Sequence, residues 1–343
     1  MNFSEINKNI LPYDEAAVDA AKARWDSIAK PVGSLGEFES HIIKIAGISG
    51  SVEIGRRAAI ILAADNGVTA RGVASTPPEI TAVMAGFMAR KRSAACIMAS
   101  SCGAEIVLRD MGMLRRVEGV DGPHIANGTA DITQGAAMTD EQAREAVQYG
   151  IDLVRDLKAC GFQLLAAGEM GIGNTTTSSA IASVLLDRPP REVTGRGVKL
   201  DDAGLSHKIT CIEQAISINK PDGADAFDTL RKLGGFDIAG MAGLFIGGAL
   251  YGVPVIIDGF ISGVSALVAA RLCPRSVQAM LASHVSAEPG AELALNALGL
   301  CPVIHAGMRL GEGTGAVAII PLLDMAAAVY HDLMTFADIG MTP

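Results

Sequence analysis

The segment QLLAAGEMGIGNTTT, residues 163–177, decides how the chain is read. Residues 163–167 form an apolar run of strand length. Glycines follow at 168, 171 and 173, and threonines at 175–177 open a helical stretch reaching 186. A buried strand that runs through a glycine turn into a helix is the βα unit of a parallel sheet. The pattern recurs outward along the chain. Apolar strands are expected at 58–64, 104–109, 254–258 and 302–305, and helices at 79–98, 139–158 and 202–218. This alternation predicts an α/β protein with a doubly wound, mostly parallel, Rossmann-like sheet. The first 50 residues read as helical instead, from Tyr13 to Ile28 and from Glu37 to Ile48, across a break at Lys30–Gly36. With a C-terminal helix over 316–337, they are expected to form a small helical domain. It would comprise residues 1–49 plus 316–343, beside a large α/β domain at 50–315.

Composition excludes several classes. The chain has 343 residues, half of them hydrophobic, so it buries a sizeable core without a disulfide or metal staple. Lys and Arg number 28 against 37 Asp and Glu, a net charge of −9, and no basic run appears. Nucleic-acid binding by bulk charge is therefore not expected, and the 4% aromatic content argues against base-stacking platforms. The N-terminus lacks the basic and apolar regions of a secretory signal. The uncharged run Ala239–Ile257 is long enough for a membrane span. Gly252 and Pro254 interrupt it, however, so a helix to about Tyr251, a turn and a buried strand at Val255–Ile257 fit better. Six cysteines show no metal or disulfide spacing and read mostly as buried, reduced thiols in a cytoplasmic protein. The six histidines show no metal-ligand pattern.

Four loops carry the candidate chemistry. Gly168–Thr177 lets a ligand approach the backbone and offers helix N–H groups and threonine hydroxyls to a phosphate; a purely structural turn is the alternative. It is neither G-x-G-x-x-G nor a Walker A loop, so dinucleotides and nucleoside triphosphates are not supported. Gly195-Arg196-Gly197, followed by Asp201, Asp202 and Lys208, presents a guanidinium to oxyanions; by spacing alone, Lys208 reads as a solvated lysine. Ser283–Gly290 is a polar loop entering a helix. In Arg309–Gly315, Glu312 stands between Gly311 and Gly313. Glycines around an acid add backbone entropy and make sense if the carboxylate is pressed toward a substrate, where apolar surroundings suit it to general-base work. A solvated surface turn is the alternative. Asp65, Asp110, Glu169 and Asp258 all follow strand candidates, where they either face a common crevice or cap the next helix.

Taken together, these blocks resemble the nicotinate-nucleotide:dimethylbenzimidazole phosphoribosyltransferase family. The likeness runs in order through Lys30–Gly36, Asp65–Val68, Asn127–Ala130, Gly168–Thr176, Gly195–Asp202, Gly234–Asp237, Asp258–Ser262, Ser283–Gly290 and Arg309–Gly315. It implies transfer of 5-phosphoribosyl from nicotinate mononucleotide to 5,6-dimethylbenzimidazole, giving nicotinate and α-ribazole 5′-phosphate in cobamide lower-ligand assembly. Glu312 matches the family's general base. Glu169, Gly171, Lys208 and Ser286 match the nucleotide pocket, with Lys208 on the phosphate and Glu169 near the developing ribosyl charge. Ser75, Val83, Leu310 and Gly311 match positions beside the acceptor ring. Gly173, Asn174, Thr175, Asp258, Arg309 and Gly313 belong to the same blocks and are expected to bind substrate. No cofactor or metal is implied, and a homodimer is.

Two residues depart from the family pattern: Asn66 stands where a histidine is usual, and Val83 where a base-contacting glutamine is common. An apolar residue at 83 favours a less polar acceptor. The alternative is thus the same transfer to phenol, p-cresol, adenine or another benzimidazole, alone or with a sister subunit. A non-catalytic nucleotide-binding subunit is the reading from a different class, and the retained Glu312 argues against it.

Overall fold

In the computed structural model, which describes residues 1–342, five strands form one sheet. They are β1 (Arg57–Ala64), β2 (Ala104–Gly112), β3 (Leu164–Met170), β4 (Val255–Ile257) and β5 (Met280–Ala282). Their order is β2-β1-β3-β4-β5, and every pairing is parallel. Helices cover both faces, which is why β1 reads as a continuous apolar run and is buried from Ala58 to Ala64. Ala58, Ile60 and Leu62 face helices Asp140–Ala159 and Phe236–Tyr251. On the other face, Ala59, Leu164, Ala166, Ile256 and Leu281 join an apolar cluster with Trp25, Ile42, Ile45, Ile320 and Leu323. The N-terminal helices Glu15–Ser27 and Glu37–Ser49 and the C-terminal helix Ile320–Asp332 thus share one core with the sheet.

The run that mimics a membrane span is a core helix. Helix 236–251 is buried from Phe236 to Ala249 and crosses helix 140–159 backbone to backbone. A Cβ on Gly150 would stand 2.1 Å from the Gly240 carbonyl oxygen, and one on Gly243 would stand 2.1 Å from that of Val147. Only glycines permit this approach, and the uncharged apolar composition of the segment follows from its burial on all sides. Helix 236–251 is too short to span a bilayer, and among the described residues one helical run, Thr314–Asp332, is long and apolar enough to do so by length and composition. Its Ala316, Ile320 and Leu323 lie in the cluster with Trp25.

Several local expectations need correcting. Residues 302–305 are not a strand: Ile304 makes a single parallel bridge to His284, and the fifth strand is Met280–Ala282. Three residues are too few for a periodic signal. The helix expected over 79–98 is two, Ile80–Ala89 and Ala94–Ser101. Between them Lys91 takes φ 58°, and the Ser93 hydroxyl caps the second by accepting from Cys96 N at 3.2 Å. The C-terminal helix is divided at Ile319, before Pro321, and ends at Asp332 rather than 337. Of the cysteines, only Cys96, Cys211 and Cys273 are buried, while Cys160 and Cys301 are exposed.

Alanine in place of glycine normally stabilises a helix interior by about 1 kcal/mol. At Gly150 the sign reverses, because the methyl group forces the two helices apart. Gly150→Ala is expected to lower stability by about 1–3 kcal/mol in urea unfolding, and equal or greater stability would contradict this helix crossing.

Candidate active site

In the order β2-β1-β3-β4-β5, chain direction through the sheet reverses between β1 and β3, and ligands bind outside the carboxyl ends of strands at such a point. A cleft of about 320 Å³ lies there. Its lining includes the β3 end with Glu169 and Met170, the turn Gly171–Thr175, loop 196–198, Lys208, Asp258, His284, Ser286, Glu288 and the loop Arg309–Glu312. Val73, Ile80, Met84, Ile172 and Phe260 add an apolar wall.

Loop 309–312 reaches the sheet because nothing but backbone separates them. A Cβ on Gly168 would lie 2.8 Å from both Gly313 Cα and Gly313 N. Gly311, Glu312 and Gly313 take φ values of 78°, 60° and 79°, three left-handed residues in succession. Glycine adopts this conformation freely, whereas at Glu312 it costs about 1–2 kcal/mol. The flanking glycines are therefore required by conformation, and Gly311 also by contact, since its Cβ would stand 2.6 Å from Glu169 Oε1. Glu312 is 7% exposed, and its Oε2 has no partner. Burial, followed by the charge of Asp258, raises its pKa against the backbone N–H of Ala95.

Glu169 and Asp237 form a second acidic centre, bridged by one amide. The Asn174 side-chain N–H group donates to Glu169 Oε2 and, at 2.9 Å, to Asp237 Oδ2. Burial pushes Glu169 up to about 8, reinforced by the Asp237 and Asp258 charges, and pushes Asp237 up to about 6. At neutral pH Glu169 thus keeps its proton.

At the other end, Lys208 is fully buried, contrary to its solvated reading by spacing. Its Nζ donates to Thr175 Oγ1 at 2.9 Å and to the Gly195 carbonyl at 3.1 Å. Burial lowers its pKa to about 8, and the Glu288 charge opposes this. Glu288 Oε2 is buried and unpartnered. Two of the three ammonium hydrogens are used in fixing the head of Lys208, and the residue borders the cleft.

Of the residues singled out in the sequence, the cleft brings together Glu169, Gly171, Gly173, Asn174, Thr175, Lys208, Asp258, Ser286, Arg309, Leu310, Gly311 and Glu312. Three are not among its lining. Ser75 donates to the Val198 carbonyl at the rim, between the lining residues Ala74 and Thr76. Gly313 lies beneath the loop, against Gly168. Val83 is 48% exposed: helix 80–89 buries Thr81, Ala82 and Ala85, and 100° per residue turns Val83 to the opposite side. Asn66 is also outside the lining, accepting from Thr177 Oγ1 at 3.4 Å behind the glycine turn. Asp237 and Glu288 escape the sequence reading as functional residues. Each lies in a block that carries the family likeness, but neither follows a strand or stands between glycines.

The raised carboxyls give stability a pH slope. Folded-state values of about 8 for Glu169 and about 6 for Asp237 lie above their ordinary 4.5 and 3.8, so the folded protein holds these protons more tightly. Their contribution to stability is greatest at low pH and declines as pH rises, from 3.8 to about 6 for Asp237 and from 4.5 to about 8 for Glu169. Between pH 6 and 8 Glu169 dominates this decline, with a slope approaching about 1.4 kcal/mol per pH unit. Denaturant unfolding of Glu169→Gln over that range should show this part of the slope removed. An unchanged slope would place the proton elsewhere.

Comparison with known proteins agrees with the geometry. The phosphoribosyltransferase family model DBI_PRT matches residues 10–341. A nicotinate-nucleotide–dimethylbenzimidazole phosphoribosyltransferase of Acetivibrio thermocellus is 43% identical over 335 residues, covering 96% of this chain and 95% of the relative. One of Roseiflexus sp. (strain RS-1) is 42% identical, covering 99% of this chain and 98% of the relative. The crystal structure of CobT from Thermus thermophilus superposes with a TM-score of 0.89 at 36% identity, covering 95% of this chain and 99% of that one. A five-stranded parallel sheet, a cleft at its switch point and a match along nearly the whole chain lead to one conclusion: this chain belongs to the DBI_PRT phosphoribosyltransferase family.

Proposed function

We propose that the protein transfers the 5-phosphoribosyl group of nicotinate mononucleotide to 5,6-dimethylbenzimidazole, releasing nicotinate and forming α-ribazole 5′-phosphate. The observation that carries this reading is a carboxylate with a free oxygen, Glu312, in the same apolar-walled cleft as the buried lysine Lys208. A phosphorylated sugar has its anionic end at Lys208, with the Thr175 hydroxyl beside it. Its C1′ then lies toward Glu312 and Glu169, against the apolar wall that receives the acceptor ring.

Glu312 removes the N–H proton of the benzimidazole while the other ring nitrogen attacks C1′. The C1′–N bond to nicotinate breaks, and its electron pair returns to the pyridine ring. Attack from the face opposite the leaving group inverts β to α. The departing ring becomes neutral, so no general acid is needed. The raised pKa of Glu312 suits a base working near neutrality. Glu169 is protonated before the substrate arrives. A pyridinium placed beside it favours its ionised form, making negative charge available as positive charge develops on the ribose.

The protein acts as a homodimer in the cytoplasm on this reading. Six unpaired cysteines support a reducing compartment, and Val83 and Phe87, 48% and 41% exposed one turn apart on helix 80–89, support burial against a second chain. Light scattering is expected to give a dimer; a monomer would remove that part.

Purified protein supplied with nicotinate mononucleotide and dimethylbenzimidazole should release nicotinate and form the α-nucleotide. Nucleotide binding without turnover on any benzimidazole, phenol or purine would defeat the assignment. Glu312→Gln should bind nicotinate mononucleotide within about threefold of wild type while kcat falls by about 10²–10⁴. Near-normal turnover would remove Glu312 as the base.

A further inference from the structure

Asp258 lies in the cleft lining and was expected to bind substrate, yet both of its oxygens are already engaged by the loop that carries Glu312. Oδ2 accepts from Gly313 N at 3.2 Å, and Oδ1 accepts from Gly315 N at 2.6 Å and Ala316 N at 3.0 Å. Asp258 is 4% exposed. Its own backbone is pinned at the end of β4, where Asp258 N donates to Ser262 Oγ at 3.2 Å and the Asp258 carbonyl accepts from Ser283 Oγ at 3.2 Å.

We propose that Asp258 is the positioning residue of the general base, clamping the Gly311–Ala316 segment to β4 so that the Glu312 carboxylate is held in the cleft. The inference rests on the phosphoribosyl-transfer reading and goes beyond it.

The need for a clamp follows from the loop itself. Glu312 Oε2 has no protein partner, so that oxygen is not held from above and its aim depends on the backbone beneath. That backbone is left-handed at three consecutive residues, two of them glycines, and has little stiffness of its own. Hydrogen bonds to an ionised acceptor are about twice as strong as neutral ones, and three of them converge here on one carboxylate. The approach also depends on Gly315. A Cβ there would stand 2.0 Å from His284 Nδ1 and 2.9 Å from Asp258 Oδ1, so only glycine lets this N–H reach the carboxylate.

The clamp has an electrostatic consequence for Glu312. The charged or titratable groups facing the loop are Asp258 on the β4 end, His284 after β5, Glu169 on β3 and Arg309 on the loop itself; helix 94–101 contributes only the Ala95 N–H. Burial keeps His284 neutral, and its Nδ1 meets Ser283 Oγ at 3.0 Å. Burial is the main cause that raises Glu312 and the charge of Asp258 adds to it, so removing that charge makes Glu312 easier to ionise.

Two substitutions separate charge from geometry. Asp258→Asn removes the charge and, through its amide N–H group, one accepting arm. Its kcat should fall at least tenfold with KM for nicotinate mononucleotide within about threefold of wild type, and the acidic limb of kcat/KM should move to lower pH. Asp258→Glu keeps the charge but displaces the clamp, so kcat should fall with the acidic limb in place. A KM for the nucleotide raised tenfold with kcat retained, or an acidic limb unmoved in Asp258→Asn, would overturn the proposal in favour of direct substrate contact.

Amide hydrogen exchange gives a readout independent of turnover. The Gly313, Gly315 and Ala316 amides should be protected in the wild type and exchange faster in either variant; unchanged protection would overturn the clamp. Absence of nicotinate release by the wild type would count against the functional reading alone, and the exchange data would still decide the role of Asp258. If Asp258→Asn does not fold, Asp258→Glu carries both measurements.

Discussion

Gly168 on β3 and Gly313 beside Glu312 meet backbone to backbone, and the cleft exists because nothing larger stands between them. A side chain at Gly168 would strike Gly313 Cα and N at 2.8 Å, lifting the acidic loop off the sheet. The contact sets Glu312 over the end of β3, next to Glu169. Gly311, whose Cβ would meet Glu169 Oε1 at 2.6 Å, extends the same closeness by one residue. Loops meet strand ends in any doubly wound sheet. Here the separation is a backbone thickness, so two acids from distant parts of the chain share one small space.

That closeness creates an electrostatic problem. Glu169, Asp237, Asp258 and Glu312 are all buried around the same centre. Four anions cannot coexist there without compensation. The structure handles each differently. Three backbone N–H groups hold Asp258. One asparagine amide bridges Asp237 and Glu169, and Glu169 keeps its proton to about pH 8. Glu312 retains a free oxygen. Of the four, Glu312 is the one left without full compensation, while Lys208 is tied down at the opposite end by Thr175 and Gly195.

Much of this was legible in the chain. The apolar runs 58–64 and 163–167 announced buried parallel strands because a strand covered on both faces carries no polar alternation. The glycines around Glu312 announced a special backbone, though the reason is three left-handed φ values rather than flexibility. β5 was not legible: it is three residues long and owes its strand state to the β4 edge beside it. Nor was the burial of Lys208, which follows from loop 195–197 folding over the helix that carries it. Val83 lies outside the cleft lining, to which its helix contributes Ile80 and Met84.

Local sequence by itself determined the class of fold and the loops where chemistry is to be found, because hydrophobic periodicity and glycine placement are properties of a few consecutive residues. Tertiary structure alone decided what each acid does. Whether a carboxylate is a base, a proton store or a clamp depends on which N–H groups and charges surround it. At Asp258 those come from Gly313, Gly315 and Ala316, more than fifty positions away, and at Glu169 from Asn174, Asp237 and Asp258. Only the Asn174 contact is local; the others join residues too far apart for any window of sequence to hold, so the division of labour among the acids appears only when the chain has folded.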